Sequence, residues 1–178
     1  MKKLSILIIS LFLITACSVE KIDKIEDEDK FAIEYSITAN HKFEYAKIHD
    51  IFDMFEDGNG IVYFANSDDE RSIIYTKDIN EIFDDLKVDK ISYYNPSNIK
   101  NNNTKYYREL LNVVGENVGI DEDSNPSLEI PSLYFIKNGE IIGYVSSSKY
   151  SVDSLLKKKT KNKIKNEIKE ILEEYESA

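Results

Sequence analysis

Apolar and polar positions follow two different periods along this chain. Ile61-Val62-Tyr63-Phe64-Ala65 is a continuous apolar run between the turn residues Gly58-Asn59-Gly60 and the polar stretch Asn66 to Ser72. A short run rich in β-branched and aromatic side chains, bounded by turn residues, predicts a strand buried on both faces. Beyond the polar loop, Tyr75, Ile79, Ile82, Phe83 and Leu86 recur at three- and four-residue spacing and predict a helix over 70–87. Before the strand, Tyr45, Ile48, Ile51, Phe52 and Phe55 trace another helical face, stopped at Gly58. Further upstream, Phe31 to Ile37 alternates at period two in its second half and predicts an edge strand.

The pattern continues through the second half. Lys90-Ile91-Ser92-Tyr93-Tyr94 predicts a third strand, closed by Asn95-Pro96-Ser97, and Asn98 to Asn103 predicts a loop. Tyr106, Leu110, Val113, Val114 and Val118 mark a helix that ends at Gly115 or Gly119. Asp121 to Glu129 is polar, with a turn at Asn125-Pro126. A strand then runs from Pro131 to Lys137, turns at Asn138-Gly139 and returns through Tyr144. Ile164, Ile168, Ile171, Leu172 and Tyr175 form the apolar face of a last helix. The predicted order is β-α-β-α-β-α-β-β-α, an α/β fold with a central mixed sheet flanked by helices, in one domain over 31–178.

Two of these stretches carry a resemblance. Ile130-Pro131-Ser132-Leu133-Tyr134-Phe135-Ile136-Lys137-Asn138-Gly139-Glu140-Ile141-Ile142-Gly143-Tyr144 resembles the second half of a thioredoxin-like domain, in which a cis-proline precedes a strand, a hairpin and a last strand. Ile61 to Phe64, followed by a loop and a helix, is similar to that family's active-site strand. The likeness covers roughly residues 40–145 and points to small thioredoxin-like proteins of Gram-positive bacteria, among them bacteriocin-transport accessory proteins. It implies a thioredoxin-like three-layer sandwich. It also implies that Ile130 and Pro131 offer main chain to an extended peptide.

The resemblance locates a departure as well. In the family the first redox cysteine falls five residues after the position of Phe64 and the second three residues later. Those positions hold Asp69 and Ser72, so Asp69-Glu70-Arg71-Ser72 stands in place of the redox motif. Thiol–disulfide exchange needs a thiolate nucleophile, which neither a carboxylate nor a serine supplies. The expectation is therefore a protein without redox cysteines, not an enzyme and with no cofactor. It would serve as a peptide- or protein-binding module, or as an accessory to thiol–disulfide exchange or bacteriocin transport and immunity through a partner protein.

The N-terminus bears on location. Met1-Lys2-Lys3 precedes an apolar run from Leu4 to Ala16, too short to span a bilayer, which reads as a secretory signal. Its ending, Leu13-Ile14-Thr15-Ala16-Cys17, resembles a bacterial lipobox with cleavage before Cys17. The expected organisation is a signal peptide over 1–16, an acidic tether over 17–30 and the domain beyond. Acyl chains on Cys17 would hold the protein on the extracytoplasmic face of the cell membrane. Cys17 is the only cysteine, so an acylated chain has no free thiol and no internal disulfide. Loss of Lys2 and Lys3 with the signal takes the formal charge from −10 to about −12. That balance argues against binding nucleic acid or anionic lipid through the overall field, so membrane attachment is expected from the acyl chains.

Other candidate groups have plainer readings. Asp68, Asp69 and Glu70 stand where a helix starts, which suits capping. A cation or a lysine-rich peptide would need a second acidic loop, and Asp121, Glu122, Asp123 and Glu129 are the candidates, although their spacing matches no calcium loop. His41 and His49 have no nearby cysteine or acid pair and read as surface or packing residues. Serine hydrolysis at Ser67 or Ser72 would need a base that the sequence does not place beside them. Lys157, Lys158, Lys159, Lys161, Lys163 and Lys165 read as a solvated helix surface, or as a patch drawn to anionic lipid or wall polymer. The reading of Cys17 is tested directly. Cys17→Ala should release the protein into the medium or leave an uncleaved precursor, and a variant still processed and membrane-bound would remove the lipoprotein assignment.

Overall fold

The computed structural model describes residues 27–177. The signal segment 1–16, Cys17 and the tether as far as residue 26 lie outside the described residues. The chain opens with helix α1 (Asp27–Tyr35), strand β1 (Phe43–Tyr45), helix α2 (Ile48–Glu56), strand β2 (Gly60–Phe64), helix α3 (Glu70–Leu86) and strand β3 (Ile91–Tyr94). Two helices follow, α4 (Ser97–Asn101) and α5 (Lys105–Val114), and then the short strands β4 (Gly119–Ile120) and β5 (Pro126–Ser127). The hairpin β6 (Ser132–Lys137) and β7 (Glu140–Ser146) leads into α6 (Val152–Leu155) and α7 (Lys158–Ser177).

Five strands make one mixed sheet in the order β1-β3-β2-β6-β7, and β4 pairs with β5 in a separate ribbon. β1, β3 and β2 are parallel, while β6 runs antiparallel to both β2 and β7. The side chains of β2 alternate between two cores, as the two-residue period of a strand requires. Ile61, Tyr63 and Ala65 meet Phe31 and Tyr35 of α1, the apolar face of α3, Leu155 of α6 and Ile164 and Ile168 of α7. Val62 and Phe64 meet Ile51 and Phe55 of α2, Ile99 of α4 and Tyr107, Leu110 and Val114 of α5. Each fully buried valine, leucine, isoleucine or phenylalanine among them contributes about 1.5–3 kcal/mol through the area it removes from water.

The first core is rich in tyrosine. Tyr35 donates a 3.0 Å hydrogen bond to the Tyr93 hydroxyl, and the Tyr63 and Thr76 hydroxyls lie 2.8 Å apart. The Tyr75 hydroxyl is buried with no hydrogen-bond partner among the described residues. Burial pushes the Tyr93 phenol up to about 12, and those of Tyr35, Tyr63 and Tyr75 higher still.

Several local expectations are corrected. Phe31–Ile37 is not an edge strand, because residues 27–35 form α1. Phe31 and Tyr35, one helical turn apart, stack at 4.6 Å and both point into the core. The tether's last residues, 27–30, are the first turn of the same helix. The edge is β1, whose three residues include Tyr45, expected in the following helix. The loop over 98–103 begins instead as α4, where the Asn95 side chain accepts from the Ser97 N–H at 3.0 Å and Ile99 is buried. Asp121–Glu129 contains half of a small ribbon, turned by the Asp121 carboxylate, which accepts from the N–H groups of Asp123 and Asn125. Two glycines matter to the architecture. Gly139 turns the β6–β7 hairpin at φ +79, and Gly143 lets Ile171 of α7 lie directly on β7 where a Cβ would collide.

Candidate functional site

The polarity of the sheet decides which loops meet. Phe64, the last residue of β2, pairs with Ser132, the first of the antiparallel β6. The loop leaving β2 and the loop feeding β6 therefore lie at the same end of the sheet. The first carries Asn66 to Asp69 and runs into α3. The second carries Glu129, Ile130 and Pro131.

The loop after β2 satisfies itself. The Asn66 side-chain oxygen accepts from the Asp68 N–H at 3.0 Å and from Asn95 at 3.3 Å, tying the loop to the end of β3. Asp69 caps α3: one carboxylate oxygen accepts from both the Ser72 N–H and the Ser72 hydroxyl, each at 2.8 Å. Ser72 is fully buried, so its hydroxyl is closed to a substrate, and no histidine lies in the loop to act as its base. Glu70 is exposed and Arg71 half-buried. The four positions 69–72 thus form a helix start in which Asp69 caps Ser72.

The loop before β6 is pinned from several sides. Lys100 donates to the Leu128 carbonyl at 3.1 Å, and the Leu128 N–H donates to the Tyr107 hydroxyl at 3.1 Å. The Ser132 hydroxyl donates to the Glu129 carbonyl at 2.7 Å, and the Ser147 N–H to the Pro131 carbonyl at 3.2 Å. The Ile130–Pro131 peptide is cis. The Glu129 carboxylate accepts from the Tyr144 and Ser148 hydroxyls, both at 2.7 Å. Burial alone raises its pKa. The hydroxyls of Tyr144, Ser146 and Ser148 and the Arg71 charge outweigh that and hold it below the ordinary value.

Between these anchors one stretch of main chain is unused. The N–H and C=O of half-buried Ile130 form no hydrogen bond among the described residues. Ile130 borders a cleft of about 350 Å³ whose walls include Lys100, Ile120, Asp121, Glu122, Glu129 and Ser148. Ile120 is 76% exposed, a large apolar side chain beside free backbone groups.

The expected residues fall as follows. Asp69, Glu70, Arg71 and Ser72 start α3, and Ile130 and Pro131 stand at the same end of the sheet. Of the two acidic loops, Asp121, Glu122 and Glu129 line the cleft, and Asp68, Asp69 and Glu70 do not. Asp121 spends an oxygen on its own turn. Among the described residues no three histidine, cysteine, aspartate or glutamate side chains are grouped to hold a metal ion. His41 is buried against Phe31, and His49 is exposed with its ring edge-on to Tyr106. Sequence reasoning missed Tyr144 and Ser148 as partners of Glu129, Lys100 as the brace of the loop, and Ile120. Only Ile120 gave a local signal, an apolar residue between Gly119 and five polar positions.

No family model matches this chain, and no curated protein or solved structure matches it either.

Two measurements test the geometry. Glu129 titrates lower in the folded chain than its ordinary 4.5, so its contribution to stability is complete above that value. It is lost as pH falls through the folded-state pKa. Glu129→Gln should lower the melting temperature at pH 7 and flatten the acid limb of the stability profile. Melting temperatures equal to the parent's throughout would show that the hydroxyl contacts contribute nothing. The second test replaces Asp69 and Ser72 together by cysteine. Loss of the cap costs about 1 kcal/mol, and the pair should fold and close an internal disulfide in air. Two thiols that stay free under mild oxidant would contradict the adjacency of these side chains.

Proposed function

We propose that this protein is a membrane-anchored, extracytoplasmic thioredoxin-like binding module, a three-layer sandwich that has no redox chemistry and holds an extended peptide or protein segment. The observation that carries the reading is the unpaired N–H and C=O of Ile130 at the start of β6. Main-chain groups left open beside a sheet recruit an extended strand, which supplies the missing hydrogen bonds. The strand order, the helix that starts immediately after β2, and Pro131 at the head of β6 support the thioredoxin-like part of the proposal.

The walls of the cleft define the segment. Ile120 offers an apolar contact, and Asp121, Glu122 and the ionised Glu129 favour a basic or hydroxyl-bearing side chain beside it. Asp69 and Ser72 supply no thiolate for disulfide exchange, so the bound segment is held rather than oxidised or reduced. Anchoring follows from acyl chains on Cys17, which place the module at the outer surface of the membrane.

Display selection for extended peptides should return binders that protect the Ile130 amide from hydrogen exchange. Ile130→Pro, which removes that donor, should weaken them roughly tenfold. The same protein should show no turnover in an insulin-reduction assay. Binders that leave the Ile130 amide unprotected and bind Ile130→Pro equally well would refute this platform, and turnover would refute the non-redox assignment.

A further inference from the structure

The charges of α7 are sorted along its length. From Lys157 to Lys165 there are lysines and no acid; from Glu167 onward the helix carries Glu167, Glu170, Glu173, Glu174 and Glu176. This is the reverse of what a helix dipole favours, since cations stabilise the C-terminal end and anions the N-terminal end. Helix stability therefore does not account for the basic half. Packing accounts for part of it: Lys161 pairs with Asp78 and Glu81, and Lys165 with Asp85, across the groove to α3. Lys157, Lys158, Lys159 and Lys163 form no ion pair among the described residues and are all exposed.

With Ile164 and Ile168 fixed against the core, a period of 3.6 puts Lys158, Lys159 and Lys163 on the outward face of α7. No carboxylate shares that face in its first half. Asp153 of α6 is the nearest acid in sequence on the exposed side. Immediately before the lysines stands Leu156, 68% exposed. Leu156 stands with the unpaired Lys157 and Lys158 at the rim of the groove to α3, whose acids Asp78, Glu81 and Asp85 are taken up by Lys161 and Lys165. An apolar side chain beside unpaired cations matches the surface of an anionic bilayer: the cations meet headgroups and the leucine enters the acyl boundary. A soluble polyanion would use the lysines and leave Leu156 in water. The tether fits as well. α1 packs in the same core as α6 and α7, and the ten residues from Cys17 to Asp27 reach at most about 35 Å.

We propose that Leu156 and the outward lysines of α7 dock on anionic lipid, giving the anchored module a second membrane contact and a fixed orientation. The proposal rests on the anchoring read from Cys17. The acylated protein carrying Leu156→Cys, labelled with a polarity-sensitive dye, is floated with phosphatidylglycerol-containing and with pure phosphatidylcholine vesicles. The expected result is flotation with both and a blue-shifted dye on the anionic vesicles alone, reversed by salt. Replacing Lys158, Lys159 or Lys163 by glutamine should lower the docked fraction about fivefold each. Flotation with both and no shift would overturn the docking and leave the anchor standing. Flotation with neither would overturn both. An equal blue shift with soluble polyphosphate would overturn lipid as the ligand.

Discussion

Strand β2 has no solvent face, and the rest of the molecule follows from that. Ile61, Tyr63 and Ala65 must be covered on one side and Val62 and Phe64 on the other, so amphipathic helices are needed on both faces of the sheet. α3 and α7 meet the first need, α2 and α5 the second. The same strand lies between a parallel neighbour and an antiparallel one. That change of direction brings the loop after β2 and the loop before β6 to one end, where both candidate features lie.

The two loops solve the problem of their polar groups differently. Around Asp69 the carboxylate takes the N–H and hydroxyl of Ser72, and the Asp69 N–H reaches the Asn66 carbonyl, so the acid is spent on capping its own helix. Around Ile130 the neighbours are fixed, Leu128 by Lys100 and Tyr107 and Glu129 by three hydroxyls, while Ile130 is left open. A rigid surround with one unsatisfied stretch of main chain loses little entropy when a ligand arrives.

What was legible in the sequence was local. The run 61–65, the faces of α3 and α7, the Asn138-Gly139 turn and the acid at the start of α3 all declare themselves within a few residues. Phe31–Ile37 misled because seven residues can satisfy both periods, and Phe31 with Tyr35 also fits one face of a helix. β1 has three residues, too few for a period to show. The bonds from Tyr144 and Ser148 to Glu129 span 15 and 19 positions across a hairpin, so only the folded chain puts them together.

The tyrosine-rich core sets a limit that has nothing to do with ligands. Tyr35, Tyr63, Tyr75 and Tyr93 are held neutral in the folded chain, whereas an unfolded chain releases their protons near pH 10. Stability that is complete below that pH is therefore lost as the solution becomes more basic, because only the unfolded state gains by ionising. Hydroxide acts on this protein as a denaturant, working through phenols buried far from the surface it first meets.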